Sequence, residues 1–350
     1  MSDQMLRLTV GLMKVYYRPL ALAALCLLVT TCFSCTYAVL VTDPIAEKML
    51  LFQRNNGGWP QYKGDPTDYT KDLDTAFLLQ LHMDKSRLDA TIDDNSTTYE
   101  IQYLLSKVKL TGNRKYLASA ESGIQYLLQS QNAAGGWPQK YPDTSGYHHH
   151  ITYNDEAMIA VMWIMKGLAE NTHPYDLADN KLKAAAEKSL ARGIDCILKT
   201  QYRQHDTLTV WCAQHDALTL APASARAFEP ASLSGKESVG IILFLESLQQ
   251  PSPAITRAIE AGIAWFKKVG LPDIGLQTIE DKNAPGGRDL LVIAKPGNTL
   301  WARFYDLDTN QPIFMGRNGV ARSKLSEIEI ERRTGYAYLG NRPKAILKGK

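Results

Sequence analysis

The 350-residue chain, 45% hydrophobic and 21% charged, can bury a large core and has the make-up of an ordinary globular protein. Its net charge of +3, with no Lys/Arg-rich block or stripe, argues against a nucleic-acid binder that works through bulk electrostatics. Basic residues therefore have to be read one at a time.

Residues 1–38 stand apart. Arg7, Lys14 and Arg18 flank an apolar run over residues 19–41 that ends in small residues around Cys32 to Ala38. This is the layout of a signal peptide, although the run is also long enough for a membrane anchor, and Cys32 or Cys35 would suit lipid attachment. Either way the expected location is secreted, periplasmic or at the cell surface. Three of the five cysteines lie in this leader, which leaves Cys196 and Cys212 either as a disulfide or as two buried thiols.

Beyond the leader, helical periodicity marks residues 44–54, 98–110, 114–131, 155–171, 176–201, 235–248 and 253–268. They come in pairs. The stretch "NNGGWPQY" at 55–62 returns as "AAGGWPQKY" at 133–141, each after a Leu-Leu and Gln-containing segment. In a degenerate third copy, "ILKTQYRQHDTLTVWCAQ", Trp211 stands where Trp59 and Trp137 stand in the others. Glycines let the chain turn sharply, proline stops the helix, and the indole fills the space between helix pairs. Paired helices repeating at roughly 75–80 residues predict an all-α-dominated fold, an (α/α) toroid built from helix-pair repeats over residues 44–340.

The last quarter reads differently, because "DLLVIAKPG", "LWARFYDLD" and "QPIFMGRNG" are short β-rich runs between turn residues. They predict a small C-terminal β portion, followed by a helix over 324–333 and a loose basic tail after Gly340. No heptad pattern argues for association, so a monomer is expected.

Three polar clusters fall at helix starts: "TIDDNSTTYE", "ITYNDEAMIAVMWIM" and "SARAFEPASLSGKESVGIILFL". If alternate helices of the toroid run the same way, Asp93, Asp94, Asn154, Asp155, Arg226 and Glu229 share one rim. Single acids there are ordinary helix caps. The adjacent Asp93 and Asp94, together with Asp155, exceed that need and suggest a hard-cation site, for which carboxylate and amide oxygens favour calcium. His148 to His150 are read as a solvated or cap-adjacent run, since consecutive side chains point apart in a strand or helix. Arg226, Lys236, Arg303 and Arg317 lie near the presumed entrances, and guanidiniums beside a cation suit an anionic ligand.

These segments, with "EIEIERRTGYAYLG" near the end, resemble the pectate lyases of polysaccharide lyase family 10 from about Met49 to Gly340. The resemblance implies an exported, calcium-dependent enzyme that cleaves polygalacturonate by β-elimination to 4,5-unsaturated oligogalacturonides. It makes Asp93 and Asp155 similar to the family's calcium ligands, Arg226 to its catalytic base, and Arg303 and Arg317 to its binders of substrate carboxylate. Lys236 joins them as a substrate contact from its place in the sequence. Asp94, the third candidate metal ligand, stands where the family's pattern has an asparagine. Two other readings stay open: a non-catalytic pectin-binding protein, and a toroid glycoside hydrolase using paired carboxylates such as Asp155 and Glu229.

Overall fold

A computed structural model describes residues 41–143 and 145–347. The leader expected over residues 1–38 lies outside them. Among the described residues no helix is long and apolar enough to cross a membrane.

The helices are α1 (Pro44–Phe52), α2 (Thr75–Met83), α3 (Thr98–Thr111), α4 (Arg114–Ser130), α5 (Ala157–Ala169), α6 (Asn180–Thr200), α7 (Glu237–Glu246), α8 (Pro253–Val269), α9 (Ile330–Gly335) and α10 (Lys344–Leu347). They form two layers. α1, α3, α5 and α7 contact one another in succession, while α4, α6 and α8 do the same and each packs against the preceding inner helix. The sequences explain the division: α5 and α7 are apolar almost all round and buried along most of their length, whereas the outer helices carry one buried stripe. This is the toroid expected from the repeats.

Each repeated turn is held by the same bonds. Trp59, Trp137 and Trp211 donate their indole N–H to the carbonyls of Met49, Leu127 and Ile197, at 2.8, 2.7 and 2.7 Å. Gln53, Gln131 and Gln201 each bridge the turn to the next outer helix through the carbonyls of Ser119, Ser189 and Ala258. Gly57 and Gly135 adopt φ of +92° and +89°, and a Cβ there would stand 2.2 and 2.3 Å from the carbonyl oxygens of Ser122 and Arg192. A side chain at either would force the turn off the outer helix. Trp301 is a fourth copy that the sequence reading missed: its N–H donates to Phe266 at 2.9 Å, from a strand rather than a helix-turn.

The strands are β1 (Ile151–Thr152), β2 (Arg203–Gln204), β3 (Thr207–Leu208), β4 (Gln214–His215), β5 (Pro222–Ala223), β6 (Leu233–Ser234), β7 (Leu271–Glu280), β8 (Arg288–Ala302), β9 (Phe304–Tyr305), β10 (Pro312–Met315), β11 (Ala321–Arg322) and β12 (Leu339–Gly340). The antiparallel sheets run β1-β4-β5, β11-β10-β9-β6, β12-β8-β7 and β2-β3. The long β7–β8 hairpin stands where the next helix pair of the toroid would follow α8.

Two expectations need correction. The helix expected over 324–333 is a short 3-10 turn at Leu325–Glu327 followed by α9. The tail after Gly340 is docked: α10 packs on α7 and α8, Ile346 is buried, and Lys344 donates to Asn298 Oδ1 at 2.9 Å. Of the two alternatives open for Cys196 and Cys212, the structure shows two buried free thiols.

Glu100, on the inner helix α3, is a buried acid. Tyr69 donates to its Oε1 at 2.7 Å, Oε2 has no partner, and burial pushes the carboxyl up to about 7 from its ordinary 4.5. Between those values the folded protein keeps a proton that the unfolded chain has released. Stability should therefore fall by about 3 kcal/mol as pH rises through that window. Glu100→Gln is expected to remove this slope in urea unfolding compared between about pH 5 and about pH 8. An unchanged slope would contradict the assignment.

Candidate active site

The repeated turns position the acids. Thr97, at the start of α3, accepts the Trp59 backbone N–H on its hydroxyl at 2.9 Å and donates to the Thr91 carbonyl at 2.8 Å, tying the tryptophan turn to the acidic turn before the helix. That turn, Asp93–Asn95, has an equivalent one repeat later at Asn154–Glu156. The middle residues, Asp94 and Asp155, have φ of +47° and +48°, a left-handed conformation that aspartate tolerates better than most residues. Asp94 is thus the topological twin of Asp155.

Asp93, Asp94 and Asp155 each present a carboxylate oxygen within 4.8 Å of the others. Burial, then Asp94 and Asp155, push the Asp93 carboxyl up to about 6, and burial with Asp155 also raises Asp94. Burial acts the same way on Asp155, but Arg303 and Lys236 outweigh it and hold this carboxyl below the usual range. The triad contains more negative charge than its neighbours neutralise. Hard oxygen donors at such spacing fit a divalent cation such as calcium.

Lys236 donates to Asp155 Oδ1 at 2.5 Å. Gln61, from the repeated Trp-Pro-Gln, donates to Asp94 Oδ2 at 2.9 Å. The second Gln of that repeat, Gln139, accepts the Ile92 N–H and the Thr91 hydroxyl through its backbone carbonyl, fixing the acidic turn from the other side. Both glutamines were missed, although their place in each copy was the signal.

Arg303, expected to bind substrate carboxylate, is buried beside the acids. Its side chain is 4% exposed, and one guanidinium nitrogen donates to Asn154 Oδ1 at 2.8 Å, Asp155 Oδ1 at 3.2 Å and Glu237 Oε1 at 2.7 Å. It is an internal counter-charge beneath the acids, with Glu237 wholly buried beside it. All three bonds fall on that one nitrogen, while Nε has no partner among the described residues.

Arg226 sits half-exposed on the loop before β6, forked onto Glu229 through Nε at 2.8 Å and Nη2 at 2.5 Å. That fork drives the arginine's proton affinity up, and burial's opposite push on Glu229 is overcome so that this carboxyl stays ionised. Tyr336 adds a third side-chain hydrogen bond to Glu229, at 2.9 Å. Arg226, Arg317 and Arg332 surround the Phe228 ring, at 5.0, 5.8 and 3.9 Å from its centroid. Arg317 is exposed and forked onto Glu331. The structure therefore brings Arg226 and Arg317 to one cationic face, with Asp93 in electrostatic reach of Arg226. Lys236 belongs to the acid cluster.

Arg342 in the docked tail pairs with Glu156 and helps line a cavity of about 170 Å³ with Lys236 and Arg303. His149 and His150, expected to diverge, instead gather with Asp216.

The sequence model of the pectic acid lyase family matches residues 53–347. The fold is similar to the family 10 polysaccharide lyase from Cellvibrio cellulosa, with a TM-score of 0.77, 33% identity, and coverage of 89% of this chain and 91% of that one. It is also similar to a point mutant of a family 10 polysaccharide lyase from Cellvibrio cellulosa in complex with trigalacturonic acid, with a TM-score of 0.76, 34% identity, and coverage of 87% and 90%. No curated protein sequence matches the chain.

Proposed function

Because this chain belongs to the pectic acid lyase family and is a pectate lyase, we propose that it cleaves polygalacturonate by calcium-dependent β-elimination, with Arg226 as the base. The observation that carries this is the juxtaposition of three carboxylates with a half-exposed arginine fork. Asp93, Asp94 and Asp155 would hold the calcium, which when bound supplies charge neutralisation to the uronate carboxylate beside the acidic C5–H.

The chain's own residues do the rest. Neutral Arg226 takes the C5 proton, the C4–O bond breaks with the electron pair leaving on oxygen, and a 4,5 double bond forms. Glu229 orients the guanidinium by occupying Nε and Nη2, which aims Nη1 away from it. Arg317, exposed on the same face, meets the anionic chain. Lys236 screens Asp155 and, when drawn toward a uronate, offers it an ammonium.

The hydrolytic reading that pairs Asp155 with Glu229 would need Glu229 protonated, whereas Arg226 holds it ionised. Export through a leader over residues 1–38 and action as a monomer belong to the same proposal, supported by the basic flank and apolar run and by the lack of a heptad pattern.

The test is metal dependence. Chelation should abolish lyase activity and calcium should restore it. Asp155→Asn should lower apparent calcium affinity by at least the roughly 10–100-fold that loss of a supporting group costs. Activity that survives chelation, or calcium dependence unchanged in Asp155→Asn, would contradict the carboxylate site.

A further inference from the structure

We propose that His149, His150 and Asp216 form a second cation site, distinct from the carboxylate triad, that takes zinc or a similar first-row transition ion and clasps the turn before β1 to the loop after β4. Their donor atoms lie within 4.8 Å of one another. Donors on tetrahedral zinc, at bond lengths of about 2.0–2.1 Å, stand roughly 3.4 Å apart, so small side-chain rotations would complete the geometry.

Local backbone explains how two consecutive histidines share a side. His149 ends the 3-10 turn Gly146–His149, and His150 is already extended, with φ −64° and ψ 151°. Neither helical nor strand alternation separates them. Their rings lie 4.4 Å apart. Pairing of Ile151 with His215 across β1 and β4 continues to bring His150 opposite Asp216. His148 turns elsewhere, toward Asp143 at 3.4 Å and over the Tyr147 ring.

Two features point to a ligand rather than an idle cluster. The Nδ1 atoms of His149 and His150 are both buried without a hydrogen-bond partner, which is costly for an imidazole with no compensation. The Asp216 carboxylate is fixed from behind: Oδ1 accepts from Leu218 N at 3.0 Å, Thr219 N at 2.7 Å and Thr219 Oγ1 at 2.9 Å. That support leaves Oδ2 without a hydrogen bond among the described residues, in the manner of a carboxylate held for a metal site. Two imidazoles and one carboxylate select transition ions, whereas the all-oxygen triad selects calcium. Three protein ligands leave a fourth position for water.

The experiment uses the full chain, stripped with chelator and then titrated calorimetrically with zinc in excess calcium, so that the carboxylate triad is occupied. One equivalent should bind, and cobalt in its place should give the visible spectrum of a tetrahedral ion. His149→Ala and His150→Gln should each weaken zinc by tenfold or more, and zinc should raise the melting temperature of the wild type but not of His149→Ala. His149 is only partly buried on a turn, so its loss should not prevent folding, which circular dichroism checks. No zinc binding, or binding unchanged in both variants, overturns the proposal. The readout is independent of lyase activity, so failure of the proposed function leaves it standing or falling on its own.

Discussion

Arg226→Ala is expected to lower turnover on polygalacturonate by roughly 10²–10⁴-fold, the range for removal of a general base. The loss should appear in kcat more than in KM, because Arg317 and Lys236 remain to hold the polymer. Glu229 would be left buried with only Tyr336 as a side-chain donor, so the variant also loses some stability, and melting has to be followed alongside activity. Arg226→Lys separates the effects: it keeps a positive charge near Glu229 but not the fork, and should remain folded and slow. Wild-type turnover in either variant would remove Arg226 from the chemistry.

The same fork predicts the pH profile. A base acts only when deprotonated, and Glu229 raises the proton affinity of Arg226 rather than lowering it. The neutral fraction therefore grows about tenfold per pH unit through neutrality and beyond. Activity should climb into the alkaline range with no plateau assignable to Arg226. A bell centred near neutrality would point to a different base.

Arg303→Met is expected to destabilise the fold by about 3–5 kcal/mol, the cost of stranding a buried charge. Glu237 is wholly buried, and Arg303 is its closest cationic partner at 2.7 Å, while Lys236 stands at 3.7 Å. Asp155 and Asn154 lose a donor at the same time, so calcium affinity should change too. Pairing the substitution with Glu237→Gln should recover much of the stability, because the stranded charge is then gone. A double variant as unstable as Arg303→Met alone would show that packing over the Tyr336 ring, 4.6 Å away, matters more than the charge.

The toroid was legible because its repeat is written in large, distinctive residues. Trp59 and Trp137 each bond a carbonyl 10 residues back and Trp211 one 14 back, and glycine and proline mark the turn in the first two copies. Trp301 escaped because its repeat has a strand in place of the helix, so periodicity changed while the packing role did not. α2 was missed for another reason: "TAFLLQLHM" is apolar on every side yet mostly exposed, and nine residues give too little periodicity to count. β7 contains proline, aspartate and glycine that read as a turn, and only its pairing along β8 makes it a strand.

Within the site, Asp93, Asp94 and Asp155 could be grouped because they recur at one place in the repeat. The commitment of Arg303 to Glu237 and Asn154 could not, since it joins segments far apart in the chain. Position near a loop suggested an exposed arginine, whereas the folded chain buries it beneath the acids.

The most direct measurement is ultraviolet absorbance of the product during incubation with polygalacturonate and calcium, repeated after chelation. The account predicts a calcium-dependent rise from the 4,5-unsaturated uronide. Cleavage that yields new reducing ends without that absorbance, or binding of the polymer without cleavage, would contradict it.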